Sequence, residues 1–70
     1  MKMNGTIEVN GAKEALAGTV EELLKAKGIP AGQRGVAVAL NGQVVLRKVW
    51  AETRLQAGDR IEIVHARQGG

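Results

Sequence analysis

Gly69 and Gly70 close the chain and place a carboxylate at the end of a segment with no side chains of its own. Two residues without a Cβ can thread a narrow channel and let another backbone approach closely. A carboxylate needs that access if it is to be activated inside another protein. The six residues His65-Ala66-Arg67-Gln68-Gly69-Gly70 reach roughly 20 Å when extended at ~3.3 Å each, so the terminus can stand clear of a folded body. Other reactive groups are scarce. The chain has no cysteine and no serine, and His65 is its only histidine. Disulfides, a thiolate nucleophile, a Cys-based zinc site and a Ser/His/Asp triad are thereby excluded. The residue inventory argues against an enzyme.

Seventy residues set the size of one small domain. Hydrophobic residues at 44% and charged residues at 24% suit a folded, soluble chain and are too apolar for a disordered one. No apolar run approaches the ~20 residues that span a bilayer. Met1-Lys2-Met3-Asn4 lacks the apolar stretch of a secretory signal, so a cytoplasmic monomer is expected. The net charge of +3 raises the question of nucleic acid. The basic residues, however, are interspersed with acids, and their longest run is the pair Arg47-Lys48. Trp50 is the only aromatic, so there is no set of stacking platforms for single strands. Neither nucleic acid nor a membrane is an expected partner.

The elements that must present the terminus can be read from pattern and turn chemistry. Thr6-Ile7-Glu8-Val9 alternates polar and apolar, and Asn10-Gly11 supplies two residues tolerant of positive φ, which predicts a hairpin into Ala12–Leu16 with Leu16 facing the core. Thr19-Val20-Glu21-Glu22 fits a capping box, and Val20, Leu23 and Leu24 recur on one helical face. The helix is expected over Val20 to Lys27, with Gly28 and Pro30 ending it. Val36-Ala37-Val38-Ala39-Leu40 is a strand, and Asn41-Gly42 predicts a second hairpin into Gln43 to Leu46. A turn or short helical piece should carry Trp50, Leu55 should anchor the core, and Gly58-Asp59 should turn the chain into a last strand, Arg60 to Val64. The predicted order is β-β-α-β-β-(irregular)-β, an α+β domain whose helix covers one sheet face and leaves the other open. Residues 1–64 form the domain and residues 65–70 an extended tail.

This order, at this length and with this ending, resembles the ubiquitin-like β-grasp sulfur carriers, and among them the thiamine-biosynthesis carriers of the ThiS type. The resemblance covers essentially the whole chain. It is carried by Val9-Asn10-Gly11, Thr19-Val20-Glu21-Glu22-Leu23-Leu24, Val36 to Gly42, Val45 to Ala51, Leu55 to Val64 and Gly69-Gly70. The spacing of Arg47 and Trp50 and the Gly58-Asp59 turn discriminate most. Two departures stand out. Leu46 occupies a position where the family usually has proline, so the fourth strand is expected to run slightly longer, and Met1 to Gly5 looks like a small extension. Molybdopterin-synthase small subunits share the fold and the ending but usually carry a Pro-Pro-Val segment before it, unlike His65-Ala66-Arg67.

The resemblance implies a sheet of four to five strands packed on one helix. It also implies that Gly70 is adenylated by an ATP-dependent enzyme of the ThiF type and converted to a thiocarboxylate. The sulfur would come from a cysteine desulfurase and go to a thiazole synthase of the ThiG type. ATP and magnesium would belong to the activating partner, and the chain itself would bind no cofactor or metal. Gly69, Gln68 and Arg67 would give the tail its access, with Arg67 able to pair with acids lining a partner's channel. Ala37, Ala39 and Val64 are candidates for an apolar docking patch on the open face, rimmed by Arg47 and Arg60, with Trp50 either packing or docking. Carriers for molybdopterin or tRNA thiolation, and a protein modifier conjugated through Gly70, share the same features.

Overall fold

Both Asn-Gly pairs form two-residue turns of the expected kind. Asn10 and Asn41 each adopt φ 51°, and Gly11 and Gly42 each adopt φ 87°, the paired positive values of a type I′ turn. The first turn joins β1 (Thr6–Val9) to β2 (Ala12–Ala15), and the second joins β3 (Val36–Leu40) to β4 (Gln43–Val45). Between the hairpins lies α1 (Val20–Ala26), and after them come a 3-10 segment (Arg47–Glu52) and β5 (Arg60–His65). These elements come from a computed structural model that describes residues 5–30 and 32–66.

The last strand is inserted between the hairpins, giving the order β2-β1-β5-β3-β4. It runs parallel to β1, with Glu8 beside Arg60 and Val9 beside Ile61, and antiparallel to β3 from Leu40–Ile61 to Val36–His65. Period-two alternation then sorts every strand. Ile7, Val9, Val36, Val38, Ile61 and Ile63 are buried on one face, where they meet Val20, Leu23 and Leu24 of α1 together with Ile29, Trp50 and Leu55. This is the mixed five-stranded β-grasp sheet on one helix. No helix among the described residues is long and apolar enough to cross a membrane.

The helix begins as its sequence dictates, with the Thr19 hydroxyl accepting from the Glu22 N–H at 3.2 Å. Its start is tied to the segment ahead of β5 by Val20 N–H to Thr53 O and Leu55 N–H to Gly18 O, both 3.0 Å. At its other end Lys27 reaches Glu14 on β2 at 2.6 Å, fastening the edge strand to the helix.

Three expectations need adjusting. β2 ends at Ala15, and Leu16 is 40% exposed. It pairs through its N–H with Gly5 O at 3.2 Å and is not part of the buried core. β4 does not lengthen at Leu46, which instead takes φ −66°, ψ 143° and opens the 3-10 segment. That φ is the one a proline ring imposes, so leucine here adopts the backbone of the residue it replaces. Finally, β5 runs to His65, one residue past the expected end at Val64.

Candidate functional site

The described chain ends where the tail begins, and the sheet prepares that exit. Beyond the Val36–His65 pair, Ala66 N–H donates to Gly35 O at 2.6 Å, so the main chain is held as far as Ala66. Gly35 allows this contact because it sits at φ 77°, and a Cβ there would come within 3.2 Å of the Ala66 carbonyl oxygen. Arg67, Gln68, Gly69 and Gly70, the expected access and carrying residues, lie outside the described residues. Four residues beyond Ala66 span about 13 Å when extended.

Beside the exit, the open sheet face divides into two halves. Ala37 stands opposite Val64, and Ala39 stands between Glu62 on β5 and Val44 on β4. Val64 is 59% and Val44 74% exposed. These four side chains form an apolar patch reaching from the tail exit to the sheet edge. Ala37, Ala39 and Val64 were expected there, whereas Val44 was not. Its signal was available: Val44 follows Asn41-Gly42 at the register that sets it beside Ala39. The other half carries alternating charges, with Lys13 beside Glu8 and Glu8 beside Arg60. Arg60 and Glu62 both lie toward the open face, with Glu62 standing between Arg60 and Val64 along β5.

Trp50 is not on this surface. It is 2% exposed, belongs to the core, and donates its Nε1–H to Val45 O at 2.9 Å. It supports β4 from beneath and is removed from the docking candidates. The Arg47–Trp50 spacing has a local cause: with about three residues per 3-10 turn, positions i and i+3 eclipse. The Arg47 Cζ accordingly lies 4.7 Å from the Trp50 ring centroid, and its Nη2 donates to Gln33 O at 2.6 Å. Arg47 thus pins the loop ahead of β3 to the 3-10 segment.

Asp59 fixes the turn that leads into β5. One carboxylate oxygen accepts from Gln56 N–H at 2.8 Å and the other from Asn41 Nδ2 at 3.1 Å. Among the described residues no group of three or more metal-ligating side chains is gathered, and no polar or charged side chain is buried.

A family model, that of the ThiS family, matches residues 4–70. The chain belongs to the ThiS family. A crystal structure of the thiamine biosynthesis protein ThiS from Geobacter metallireducens is similar, with 35% identity and a TM-score of 0.74 over 97% of this chain and all of that one. A solution NMR structure of a thiamine biosynthesis protein from the same organism gives 33% identity and a TM-score of 0.71, over 97% of this chain and 88% of that one. No curated protein matches the sequence. The ThiS match runs through Gly69 and Gly70, so it spans the tail as well as the domain that launches it.

Proposed function

We propose that this ThiS-family protein is a sulfur carrier for the thiazole moiety of thiamine and that the sulfur rides on the Gly70 carboxyl group. The observation that carries the reading is a family match that extends through a Gly-Gly terminus. The domain gives that terminus a held exit at Ala66 and an apolar face beside it.

The chemistry divides between the carrier and its partners. A carboxylate is a poor electrophile, so an ATP-dependent adenylating enzyme of the ThiF type first joins Gly70 to the α-phosphorus of ATP, and pyrophosphate leaves. A cysteine desulfurase carries its sulfur as a persulfide; a thiol reductant, oxidised to its disulfide, releases that sulfur at the sulfide level, and the sulfide attacks the acyl carbon as AMP departs. The resulting thiocarboxylate is a polarizable nucleophile that a thiazole synthase of the ThiG type can use. ATP and magnesium act in the activating enzyme. The carrier supplies no acid, base or metal, and its work is presentation and recognition in the cytoplasm. Gly69 and Gln68 give slender access, and Arg67 meets acids along the partner's channel. Ala37, Ala39, Val44 and Val64 dock, with Arg60 at their margin.

ATP–pyrophosphate exchange tests the first step. With a ThiF-type enzyme, ATP and magnesium, the full chain should support exchange and the chain lacking Gly70 should not. Equal exchange by both would overturn the assignment of the reactive group.

A further inference from the structure

Leu46 carries an apolar side chain that the fold itself does not use. It is 59% exposed and belongs neither to the core nor to the residues packed against it. Its neighbour Val45 is turned inward and packs against the core. Leu46 follows with φ −66° and ψ 143°, still extended, so its side chain leaves on the opposite side, the open face. The β3–β4 register pairs Val38 with Val45 and Ala39 with Val44. Continued by one residue, the same register sets Leu46 across from Ala37, whose partner on β5 is Val64. Val44 and Leu46 thus line one side of a trough along β3, floored by Ala37 and Ala39. Val64 and Glu62 line the other side. Beside Ala39 the β5 wall is the charged Glu62, whereas beside Ala37 both walls are apolar. That apolar end lies next to the Val36–His65 pair, where the tail leaves the sheet.

We propose that Leu46 is a specificity-determining contact for the enzyme that adenylates Gly70, which seats an aliphatic or aromatic side chain between Leu46 and Val64. The proposal rests on the carrier reading and names the part of the open face that the enzyme reads. Reach supports this occupant. Leu46 lies two strand spacings from β5, about 10 Å across the sheet. The tail past Ala66 spans about 13 Å, so an enzyme that holds Gly70 is brought equally close to the exit. A stable protein partner covers about 800 Å² of the surface it meets, a patch wider than either distance. The shape of the trough favours one protruding side chain. Two methyl groups form its floor and branched side chains its walls, and interface energy concentrates where an anchor fills such a pocket. The length of the side chain at position 46 sets the height of the β4 wall and therefore which anchor fits.

The test uses the full chain and three variants at position 46. Leu46→Ala removes the wall. Leu46→Pro shortens it and keeps the backbone, because the φ already suits a proline ring. Leu46→Met keeps an apolar side chain of similar volume. In ATP–pyrophosphate exchange with a ThiF-type enzyme, Leu46→Ala and Leu46→Pro should each raise the KM for the carrier about 3- to 10-fold at unchanged kcat. Leu46→Met should stay within about twofold of the parent. Thermal unfolding separates this contact from a folding role: Leu46→Pro should melt no lower than the parent while its KM rises. A parental KM in both Leu46→Ala and Leu46→Pro overturns the proposal and leaves the carrier reading standing. So does a KM for Leu46→Met as high as that for Leu46→Ala. A parent chain that supports no exchange overturns the carrier reading and the proposal with it.

Discussion

Asn10 grips the main chain of Ile63, 53 positions later, through both atoms of its side-chain amide. The second hairpin repeats the device on the other side of the same strand, where Asn41 Oδ1 accepts from Arg60 N–H at 2.9 Å. Each asparagine supplies the positive φ of its turn and also clamps β5, the strand that carries the tail. At position 10, a turn residue chosen for backbone freedom alone would leave only the two parallel pairs with β1 to hold that side of β5.

Replacing Asn10 separates these roles. Asn10→Gly keeps the turn and loses two hydrogen bonds, each worth about 0.5–1.5 kcal/mol. Asn10→Asp keeps the acceptor but turns a carboxylate oxygen toward the Ile63 carbonyl. Both should lower the melting temperature by roughly 5–15 °C, at about 4–8 °C per kcal/mol for a domain this size. An aspartate variant as stable as the parent in thermal unfolding would refute the clamp.

Leu46 offers the opposite prediction. Its φ of −66° already matches proline, and the register from Leu40–Gln43 to Val38–Val45 puts its N–H on the outer edge of β4. Leu46→Pro should therefore stabilise the protein by about 0.4–1 kcal/mol through the unfolded chain. Denaturant unfolding reads this as a higher midpoint with an unchanged slope, and a lower midpoint would show that the N–H has a partner in the fold.

Charge on the open face should separate docking from folding. Val44→Asp and Val64→Asp change exposed side chains, so stability should move by no more than about 0.5 kcal/mol. Each should raise the KM of the adenylating enzyme for the carrier at least severalfold, because an unpaired carboxylate is desolvated at the contact. Unchanged KM in both variants would place docking elsewhere.

Local chemistry made much of this fold legible. Asn-Gly pairs set the turns, Thr19 set the helix start, and alternation chose Ile61 and Ile63 for the core. What escaped depends on pairing between distant segments. Nothing near Asn10 in sequence indicates that its amide will meet Ile63, and nothing near β5 indicates that it lies between the two hairpins, parallel to β1. Leu16 was expected to face the core, yet it lies past the end of β2 and is 40% exposed. Packing and docking both stayed open for Trp50 until its burial beneath β4 decided for packing, and Val44 became part of the patch only once register set it beside Ala39. The tail's chemistry was read from Gly69 and Gly70, whereas its point of departure, the Ala66–Gly35 bond, required the structure.

The sulfur-bearing terminus is tested most directly by intact mass. Incubated with a ThiF-type enzyme, ATP and magnesium, a cysteine desulfurase, cysteine and a thiol reductant, the full chain should gain about 16 Da as oxygen is exchanged for sulfur at the carboxyl group. The chain lacking Gly70 should keep its mass. An unchanged mass for the full chain, together with higher-mass conjugates to other proteins, would contradict the carrier and identify a protein modifier instead.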